Sequence, residues 1–283
     1  MKNYKVLIIG GDSEIGKYFA AHLLKKNIYF HLTSKRKERT KKNSVNYLNL
    51  NNLDSFDKLD YLKFTHALIS IGFTSINYCQ NNKAISDFIN VHQIKIIINK
   101  LNQANIKIIY LSSDKVFNEN TTLNNINSKT NSKSIYGKQK IKIEEYLKLK
   151  SKKYTILRLT KVISEENKLI NHWIEKLRNN KKIYVFEDEL ISPIYIKNVI
   201  NFLYILVIKD LNGIFHLTAK DTISYYNLAL ILAKKKQFDS SLIISTISDN
   251  KFKKINKMPS LKYKTNKFYK NKPSKSLDIM KYF

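Results

Sequence analysis

Short apolar runs alternate with amphipathic stretches through the first part of the chain. Tyr4 to Ile9 and Ile28 to Thr33 have the continuous apolar character of buried strands, and Glu14 to Lys26 between them has apolar positions at helical spacing. The alternation continues, with predicted strands at 45–50, 66–71, 107–112 and 154–159 and predicted helices at 90–103 and 135–149. Strands that alternate with helices in this way are typical of parallel βαβ units.

A glycine-containing turn joins the first predicted strand to the first predicted helix. Glycine permits positive φ and a close approach of the backbone, and a helix amino terminus directs N–H groups and its dipole at an anion. In this position of an alternating fold, such a turn predicts a dinucleotide pyrophosphate site. The alternative is that the glycines serve strand-to-helix packing alone. We predict cofactor contacts from Gly10, Ser13, Glu14, Ile15 and Gly16.

The end of the second predicted strand lacks the acidic residue with which dinucleotide folds usually hold the ribose hydroxyls of NAD. The chain reads Thr33-Ser34-Lys35-Arg36 there. A hydroxyl followed by two cations suits a 2′-phosphate, so NADP(H) is favoured, with NAD(H) left open as the alternative. We predict cofactor contacts from Ser34, Lys35 and Arg36. The competing interpretation is that these residues belong to a general excess of lysine.

The clean alternation ends near residue 160, and helices are predicted beyond it at 169–179, 196–208 and 224–235. A length of 283 residues suits one large domain with a smaller appendage. We predict an α/β protein in which residues 1–160 form a Rossmann-type, doubly wound parallel sheet that binds NAD(P). Residues 161–283 are expected to form a smaller, mostly C-terminal α/β substrate-binding lobe, with segments near 190–217 returning to the first domain.

The formal net charge of +29 raises the question of a nucleic-acid partner. Only Arg36, Arg39, Arg158 and Arg178 among the 51 basic residues are arginine, and the lysines are spread along the chain. Base and phosphate recognition favours arginine forks, so we predict a solvated basic surface and no nucleic-acid partner. The densest basic runs, 35–42 and 251–275, stay open as anion-facing patches.

Cysteine usage and hydropathy indicate the compartment. The single cysteine, Cys79, excludes an intrachain disulfide and suits a reducing compartment, so a cytoplasmic protein is predicted. The apolar run Val6 to Ile9 is too short for a signal-peptide core, and the apolar stretch 194–208 is interrupted by Lys197, so no membrane span is expected. The histidines show no metal-ligand spacing, and no metal is predicted.

A tyrosine and a lysine four residues apart, Tyr136 and Lys140, lie on one face of the predicted helix 135–149. An ammonium near a phenol lowers the pKa of the phenol, which can then exchange a proton with a carbonyl oxygen while hydride moves at the same carbon. Ser113, at the end of the preceding predicted strand, is placed to donate a hydrogen bond to that oxygen. Chance pairs of this spacing are common among so many tyrosines and lysines. The order is what favours the set: dinucleotide turn, strand ending in Ser-Ser, polar loop 118–134, then the helix.

The motifs resemble the extended short-chain dehydrogenase/reductases, and in particular the dTDP-4-dehydrorhamnose reductase group. The likeness covers nearly the whole chain. The glycine pattern has a serine at its centre, and Tyr136 to Lys140 matches the group's Tyr-Gly-Lys-x-Lys. Further similar segments are Ser70 to Thr74, Asn90-Val91, Ser112 to Phe117, Ile156 to Arg158, Ser192 to Tyr195, Gly213 to Leu217 and Lys272 to Asp278.

This resemblance implies an NAD(P)H-dependent reduction of a nucleotide-activated keto-sugar, in the biosynthesis of surface polysaccharide. It implies catalytic roles for Ser113, Tyr136 and Lys140. It adds cofactor contacts from Ser70, Ile71 and Gly72, besides Tyr136 and Lys140 themselves, and substrate contacts from Thr74, Asp114, Lys161 and Ser192.

Two alternatives stay open, and the assembly is a further expectation. One alternative is an epimerase or dehydratase of the same class. The other is a non-catalytic NAD(P)-binding regulatory subunit, because Ser13, Ile69 and Lys161 depart from the family pattern. A nucleotide-sugar is the expected small-molecule partner, and a homodimer is left open as the assembly.

Overall fold

The computed structural model describes residues 4–41, 44–57, 59–117, 124–248 and 275–283. Residues 118–123 of the predicted polar loop lie outside this range, as do nearly all of the predicted basic run 251–275 and Lys42 of the other run.

The strands follow the predicted alternation in the first half and are short in the second. In chain order they are β1 (Lys5–Ile9), β2 (Tyr29–Ser34), β3 (Val45–Tyr47), β4 (His66–Ile69), β5 (Lys107–Ser113), β6 (Tyr154–Leu159), β7 (Val162–Ile163), β8 (Ile183–Phe186), β9 (Leu190–Ile191), β10 (Ile194–Tyr195), β11 (Gly213–Leu217), β12 (Ile223–Ser224) and β13 (Ile243–Thr246).

The α-helices lie mostly between these strands. They are α1 (Glu14–Lys25), α2 (Asp54–Asp57), α3 (Ile76–Asn81), α4 (Lys83–Asp87), α5 (Ile94–Gln103), α6 (Ile135–Lys150), α7 (Lys168–Arg178), α8 (Ile196–Ile208) and α9 (Tyr225–Lys236). A π-helical turn, Phe88–Gln93, leads directly into α5. Short 3-10 helices cover Lys37–Lys41, Tyr61–Lys63, Asp114–Val116, Ser240–Leu242 and Ser276–Tyr282.

The central sheet has seven strands within the described residues, in the order β11-β6-β5-β4-β1-β2-β3. The pairs β1 with β2, β1 with β4, β2 with β3 and β4 with β5 are all parallel. The strand order reverses between β1 and β4. In open parallel sheets the crevice at the carboxyl ends of such strands is where ligands bind. The predicted Rossmann-type α/β fold is confirmed, and it places the glycine turn and the ends of β4 and β5 at one edge.

The core is built from apolar residues that the alternating pattern placed inward. Leu7 and Ile9 of β1 pack in one buried cluster with Ile97 and Leu101 of α5 and with Leu147 of α6. Burying an aliphatic side chain of this size contributes about 1.5–3 kcal/mol before the entropy of ordering it is subtracted. The helix that bears Tyr136 and Lys140 is therefore fixed to the sheet along its apolar side.

The chain divides into two compact units. The first comprises the described residues of 1–117, 129–158 and 199–215. It carries the seven-stranded sheet, except for the last residues of β6 and β11, which follow residues 158 and 215. The second comprises the described residues of 118–128, 159–198 and 216–283. It contains α7, α9 and three two-stranded sheets, formed by β7 with β10, β8 with β13, and β9 with β12.

Two regions differ from the sequence prediction. The predicted helix 90–103 is preceded by α3 and α4, which were not predicted because asparagines and glutamine at 77–82 hide their apolar spacing. In the second unit the strands of two residues are too short to show a period of two, so β7, β9, β10 and β12 carry no sequence signal.

Candidate active site

The glycine turn after β1 is packed too closely for side chains. Gly10 has φ of +104°, and a Cβ there would lie 2.3 Å from Cγ2 of Ile71 and 2.9 Å from the carbonyl oxygen of Ser70. A Cβ on Gly16 would lie 2.3 Å from the carbonyl oxygen of Gly10. The turn thus holds the start of α1 against the end of β1 and beside the end of β4. This is the packing that a pyrophosphate cradle at a helix amino terminus requires.

Ser13 replaces the central glycine of the family pattern and caps α1. Its hydroxyl oxygen accepts a hydrogen bond from the backbone N–H of Gly16 at 3.0 Å, and the carbonyl oxygen of Gly10 lies 2.7 Å away as its acceptor. The Ser70 hydroxyl oxygen lies 3.1 Å from it. Glu14 and Ile15, both half-buried, open the helix behind this cap. The departure at residue 13 therefore stabilises the turn.

Loss of this cap has a defined cost. Ser13→Ala is expected to lower the free energy of unfolding by about 1 kcal/mol, because the N–H of Gly16 loses its acceptor. Ser13→Gly, the exchange that restores the family's residue, is expected to cost only a few tenths of a kcal/mol relative to wild type. Urea denaturation of the three proteins measures both differences. Equal stability of wild type and Ser13→Ala would contradict the capping role.

An acidic side chain does lie at the end of β2, although the sequence analysis found none there. Asp12, from the glycine turn, accepts a hydrogen bond from the Ser34 hydroxyl at 2.7 Å and from the Lys35 backbone N–H at 3.1 Å, and it pairs with Arg39. Burial raises the pKa of Asp12, but the hydrogen bonds from Ser34 and Arg39 outweigh it and hold the pKa below its ordinary value. The predicted Ser34 is buried, whereas the side chains of Lys35 and Arg36 are exposed.

Tyr136 and Lys140 lie in the first turns of α6, close to the end of β5. The helix is capped by Ser134, which accepts from the backbone N–H of Gly137 at 3.1 Å. The Lys140 ammonium donates to the carbonyl oxygen of Leu111 at 2.9 Å and lies 5.7 Å from the centre of the Tyr136 ring. Ser113 ends β5 and hydrogen-bonds with Tyr136. The structure therefore brings the three predicted catalytic residues together.

The pKa of Tyr136 is shifted upward, although the sequence analysis expected the nearby Lys140 to lower it. Burial, together with the negative charge of Asp114, raises the pKa of Tyr136 above its ordinary value, and the hydrogen bond with Ser113 offsets only part of the rise. The Lys140 ammonium is directed to Leu111 and to the face of Tyr110, whose ring centre is 4.7 Å away. Tyr136 consequently keeps its proton at neutral pH, which suits a proton donor.

Lys140 is buried, and its charge is correspondingly easier to lose. Burial lowers the pKa of Lys140 to about 8, although the carboxylate of Glu144, one helical turn further on, opposes the change. The ammonium form is present below that pH and is lost as the pH rises through it.

This titration gives an expected pH profile. If turnover needs the ammonium, kcat/KM with NADPH as donor falls as the pH rises through about 8, and Lys148→Met, which removes an exposed lysine of the same helix, leaves the profile unchanged. Initial rates at pH values on both sides of 8 measure this. A profile that stays flat well above pH 8 would show that the Lys140 charge is not required.

Asp114 lies directly beside the Ser113 hydroxyl. The Ser113 hydroxyl donates to Oδ1 of Asp114 at 2.6 Å, and the Ser113 oxygen accepts from the backbone N–H of Lys115 at 3.2 Å. Burial raises the pKa of Asp114, and the nearby charge of Lys115 and the Ser113 hydrogen bond only partly offset this. Ser113 is thus oriented by its own 3-10 turn.

A buried ion pair connects α6 to β6. Glu144 of α6 accepts hydrogen bonds from Arg158 of β6, at 2.9 Å and 3.2 Å from Nε and at 2.6 Å from Nη2, and another from the Ser112 hydroxyl at 2.5 Å. Both charged side chains are at most 2% exposed. The sequence analysis did not single out Glu144, although its spacing of four from Lys140 was a signal.

Asn90 connects the end of β4 to α6. From the π-helical turn, its side-chain oxygen accepts from the backbone N–H of Phe73 at 2.8 Å and its amide nitrogen donates to Oε1 of Gln139 at 2.8 Å. A Cβ on Gly72, which has φ of +115°, would lie 2.5 Å from the Asn90 side-chain oxygen. The predicted segment Ser70 to Gly72 is therefore tied to the helix of Tyr136 and Lys140 through one asparagine.

The predicted substrate contacts are placed differently. Thr74 is exposed, just before the cap of α3, and Asp114 lies beside Ser113 in the first unit. In the second unit Lys161 is exposed, whereas Ser192 is buried and its hydroxyl lies 2.9 Å from the Thr218 hydroxyl and 2.8 Å from the carbonyl oxygen of Asp221. All four assignments stay predictions, and Ser192 is better placed to position its neighbours than to contact a substrate.

Metal-ligand groups and membrane-spanning helices are both absent from the described part of the chain. Those residues contain no group of three or more histidine, cysteine, aspartate or glutamate side chains that could hold a metal ion. They also contain no helix with the length and apolar character needed to cross a bilayer.

Comparison with known proteins gives a family match and a curated relative. A family model described as the RmlD substrate binding domain matches residues 4–268. The spore coat polysaccharide biosynthesis protein SpsK of Bacillus subtilis (strain 168) is 24% identical over 182 residues, and the chain spans 64% of the length of that relative. The family match agrees with the resemblance predicted from the motifs.

Solved structures have a similar fold at low sequence identity. A dTDP-4-dehydrorhamnose reductase from Bacillus anthracis str. Ames, in complex with NADP, matches with a TM-score of 0.85 and 16% identity over 100% of this chain and 98% of that one. The enzyme of that name from Yersinia enterocolitica matches at 0.83 and 20%, over 99% and 98%. UDP-glucose 4-epimerase from Thermotoga maritima, with UDP-glucose, matches at 0.77 and 14%, over 92% and 90%. These likenesses confirm the fold.

Proposed function

Because the chain belongs to the family of the RmlD substrate binding domain, we propose that it is an NAD(P)H-dependent reductase of a nucleotide-activated keto-sugar. One observation carries the proposal. Ser113, Tyr136 and Lys140 converge at the carboxyl edge of the sheet, the edge at which the glycine turn follows β1. A phenol that keeps its proton, a hydroxyl and an ammonium at that edge are the groups needed to reduce a carbonyl.

The residues present fit a dinucleotide. Gly10 and Gly16 leave no room for a Cβ in the turn, and Ser13 caps the helix whose first N–H groups face an anion. We assign the pyrophosphate to this turn and the nicotinamide end to the neighbourhood of Ser70, Tyr136 and Lys140. When bound, the nicotinamide supplies a hydride to the substrate carbon. NADP is favoured, as in the NADP complex of the similar reductase from Bacillus anthracis, and NAD stays open.

The side chains act on the carbonyl oxygen. Ser113, whose own oxygen is fixed by the Lys115 N–H, turns its hydroxyl hydrogen from Asp114 to the substrate oxygen and so orients the carbonyl. Tyr136 gives up its proton to the oxygen as negative charge develops there. Lys140 stabilises the resulting phenolate through its ammonium, 5.7 Å from the ring centre. Before the substrate binds, Asp114 accepts the Ser113 hydrogen bond and holds that hydroxyl in place.

The substrate class and cellular setting rest on the family. The similar structures include dTDP-4-dehydrorhamnose reductases, and the curated relative is named for polysaccharide biosynthesis. We infer that the small-molecule partner is a nucleotide-linked keto-sugar. We place the protein in the cytoplasm, where its product would serve the synthesis of a surface polysaccharide. We infer no nucleic-acid partner, and a homodimer stays open as the assembly.

The test is oxidation of NADPH by purified protein in the presence of a dTDP-linked 4-keto-6-deoxy sugar. Absorbance of NADPH is followed over time, and the control contains the corresponding nucleotide without the sugar. Oxidation only with the keto-sugar supports the reductase. If NADPH or NADH binds but no keto-sugar is reduced, the NAD(P)-binding regulatory subunit is favoured, whereas failure of both nucleotides to bind excludes the reductase.

An epimerase of the same class is the second candidate, because UDP-glucose 4-epimerase shares the fold. Epimerases oxidise and re-reduce with retained NAD, so they consume no added NADPH. A product that differs from the substrate only in configuration, formed without net NADPH oxidation, would favour this candidate.

A further inference from the structure

The acid that dinucleotide folds usually place on β2 is supplied in this chain by the glycine turn. Asp12 lies 22 residues before Ser34 in the sequence, yet its Oδ2 accepts the Ser34 hydroxyl and the Lys35 N–H. The end of β2 is where the ribose of the adenosine half is held in this fold. A carboxylate fixed at that point by two donors is suited to accept a ribose hydroxyl.

The other oxygen of the same carboxylate holds an arginine. Nη1 of Arg39 pairs with Oδ1 of Asp12 and lies 3.5 Å from the carbonyl oxygen of Gly11. Both described contacts of the guanidinium use Nη1, and the side chain is about one-third exposed at 32%. Arg39 follows Ser34 closely, in the 3-10 turn Lys37–Lys41. Its guanidinium is thus held at the end of β2 by Nη1, whereas Nε and Nη2 do not contact Asp12.

We propose that Asp12 and Arg39 form an exchangeable ion pair that sets the choice between NAD and NADP. With NAD, Asp12 accepts the ribose 2′-hydroxyl while Arg39 neutralises the carboxylate. With NADP, Arg39 turns from Asp12 to the 2′-phosphate. This inference rests on the proposed function, because it requires a dinucleotide in the turn after β1.

The pair acts on the two cofactors in opposite directions. Ser34 and the Lys35 N–H keep Asp12 in place when Arg39 leaves, so the carboxylate repels the phosphate that Arg39 attracts. Arginine is suited to this exchange because its planar fork binds carboxylate and phosphate alike. Arg36, which the sequence analysis predicted as a cofactor contact, has an exposed side chain. Its hydrogen bond to the Ser34 hydroxyl oxygen comes from its backbone N–H, at 3.0 Å.

The ratio of the dissociation constants, Kd of NADH over Kd of NADPH, isolates this effect. The two nucleotides differ only in the 2′-phosphate, so general damage to the fold cancels in the ratio. Arg39→Met is expected to lower the ratio about tenfold or more through loss of a charged hydrogen bond to phosphate. Asp12→Asn is expected to raise it, because it removes the repulsion and releases Arg39. Fluorescence titration of each protein with NADPH and NADH gives both constants.

Three further proteins complete the experiment. Arg178→Met removes an exposed arginine of α7 and is expected to leave the ratio unchanged. Arg36→Met is expected to change the ratio less than Arg39→Met does. Arg39→Lys keeps the charge without the fork and is expected to lie between wild type and Arg39→Met. If circular dichroism shows that Arg39→Met is unfolded, Arg39→Lys is used in its place.

Each outcome bears on a different statement. Opposite shifts of the ratio in the Asp12 and Arg39 variants support the exchangeable pair. Binding of both nucleotides to wild type, with a ratio that neither variant moves, overturns the pair and leaves the proposed reductase standing. Absence of binding of either nucleotide to wild type overturns the proposed function and the pair with it.

Discussion

Tyr136→Phe is expected to lower kcat for the reduction of a nucleotide-linked keto-sugar by about 10²–10⁴-fold, the usual contribution of a positioned proton donor. In the proposed mechanism the phenol is the proton source, and phenylalanine keeps the ring and its packing but has no proton to give. The Kd of NADPH and the midpoint of thermal unfolding are expected to stay close to wild type, because the change removes one oxygen atom. Single-turnover kinetics with NADPH separate the chemical step from binding.

A second tyrosine on the same helix gives a matched control. Tyr146 donates its hydroxyl to Asn99 at 2.7 Å at the surface, away from Ser113. Tyr146→Phe is expected to leave kcat unchanged. Full activity of Tyr136→Phe would remove the proton donor from the proposed mechanism, and equal losses in both variants would indicate damage to α6.

Arg158→Met is expected to destabilise the protein by about 3–5 kcal/mol, because it leaves the Glu144 carboxylate buried without its partner. The double variant Glu144→Gln with Arg158→Met is expected to recover much of that loss, since it leaves no unpaired buried charge. Urea denaturation monitored by circular dichroism measures the free energy of unfolding of wild type, of Arg158→Met, of Glu144→Gln and of the double variant. A simple sum of the two single losses in the double variant would show that the charges do not act as a pair.

The surface arginine Arg178 supplies the comparison for this series. Arg178→Met is expected to change the free energy of unfolding by no more than about 0.5 kcal/mol, as exposed substitutions usually do. Glu144 also opposes the loss of charge from Lys140, so Glu144→Gln alone is expected to move the fall in activity to lower pH. Stability and pH profile together separate a packing role from an electrostatic one.

The sequence predicted those parts of the fold that repeat a clear period. β1, α1 and β2 were placed within about one residue of their observed bounds. The second unit was predicted poorly because a strand of two residues, such as Ile223–Ser224, is defined only by its partner. Its pairing with β9 joins residues more than 30 positions apart, and no local pattern records it.

At the site, sequence reasoning found the residues whose neighbours in sequence carry a motif. Tyr136, Lys140 and Ser113 were found in this way, and the structure brings them together. Asp12 and Glu144 were missed because their partners are distant along the chain. Asp12 is 22 residues from Ser34 and 27 from Arg39, and Glu144 is 14 residues from Arg158. Their roles depend on how the ends of β2 and β6 approach the glycine turn and α6, which follows from the assembled sheet.

The π-helical turn Phe88–Gln93 makes chain length, as well as residue type, a property of the site. A π turn holds one residue more than an α turn. Deleting one residue from 91–93 would restore regular α-helical hydrogen bonding and rotate Asn90 and the residues before it by about 100° about the helix axis, relative to α5. Asn90 would then lose its reach to Phe73 or to Gln139. The site therefore depends on the number of residues between Asn90 and α5 as well as on the asparagine itself.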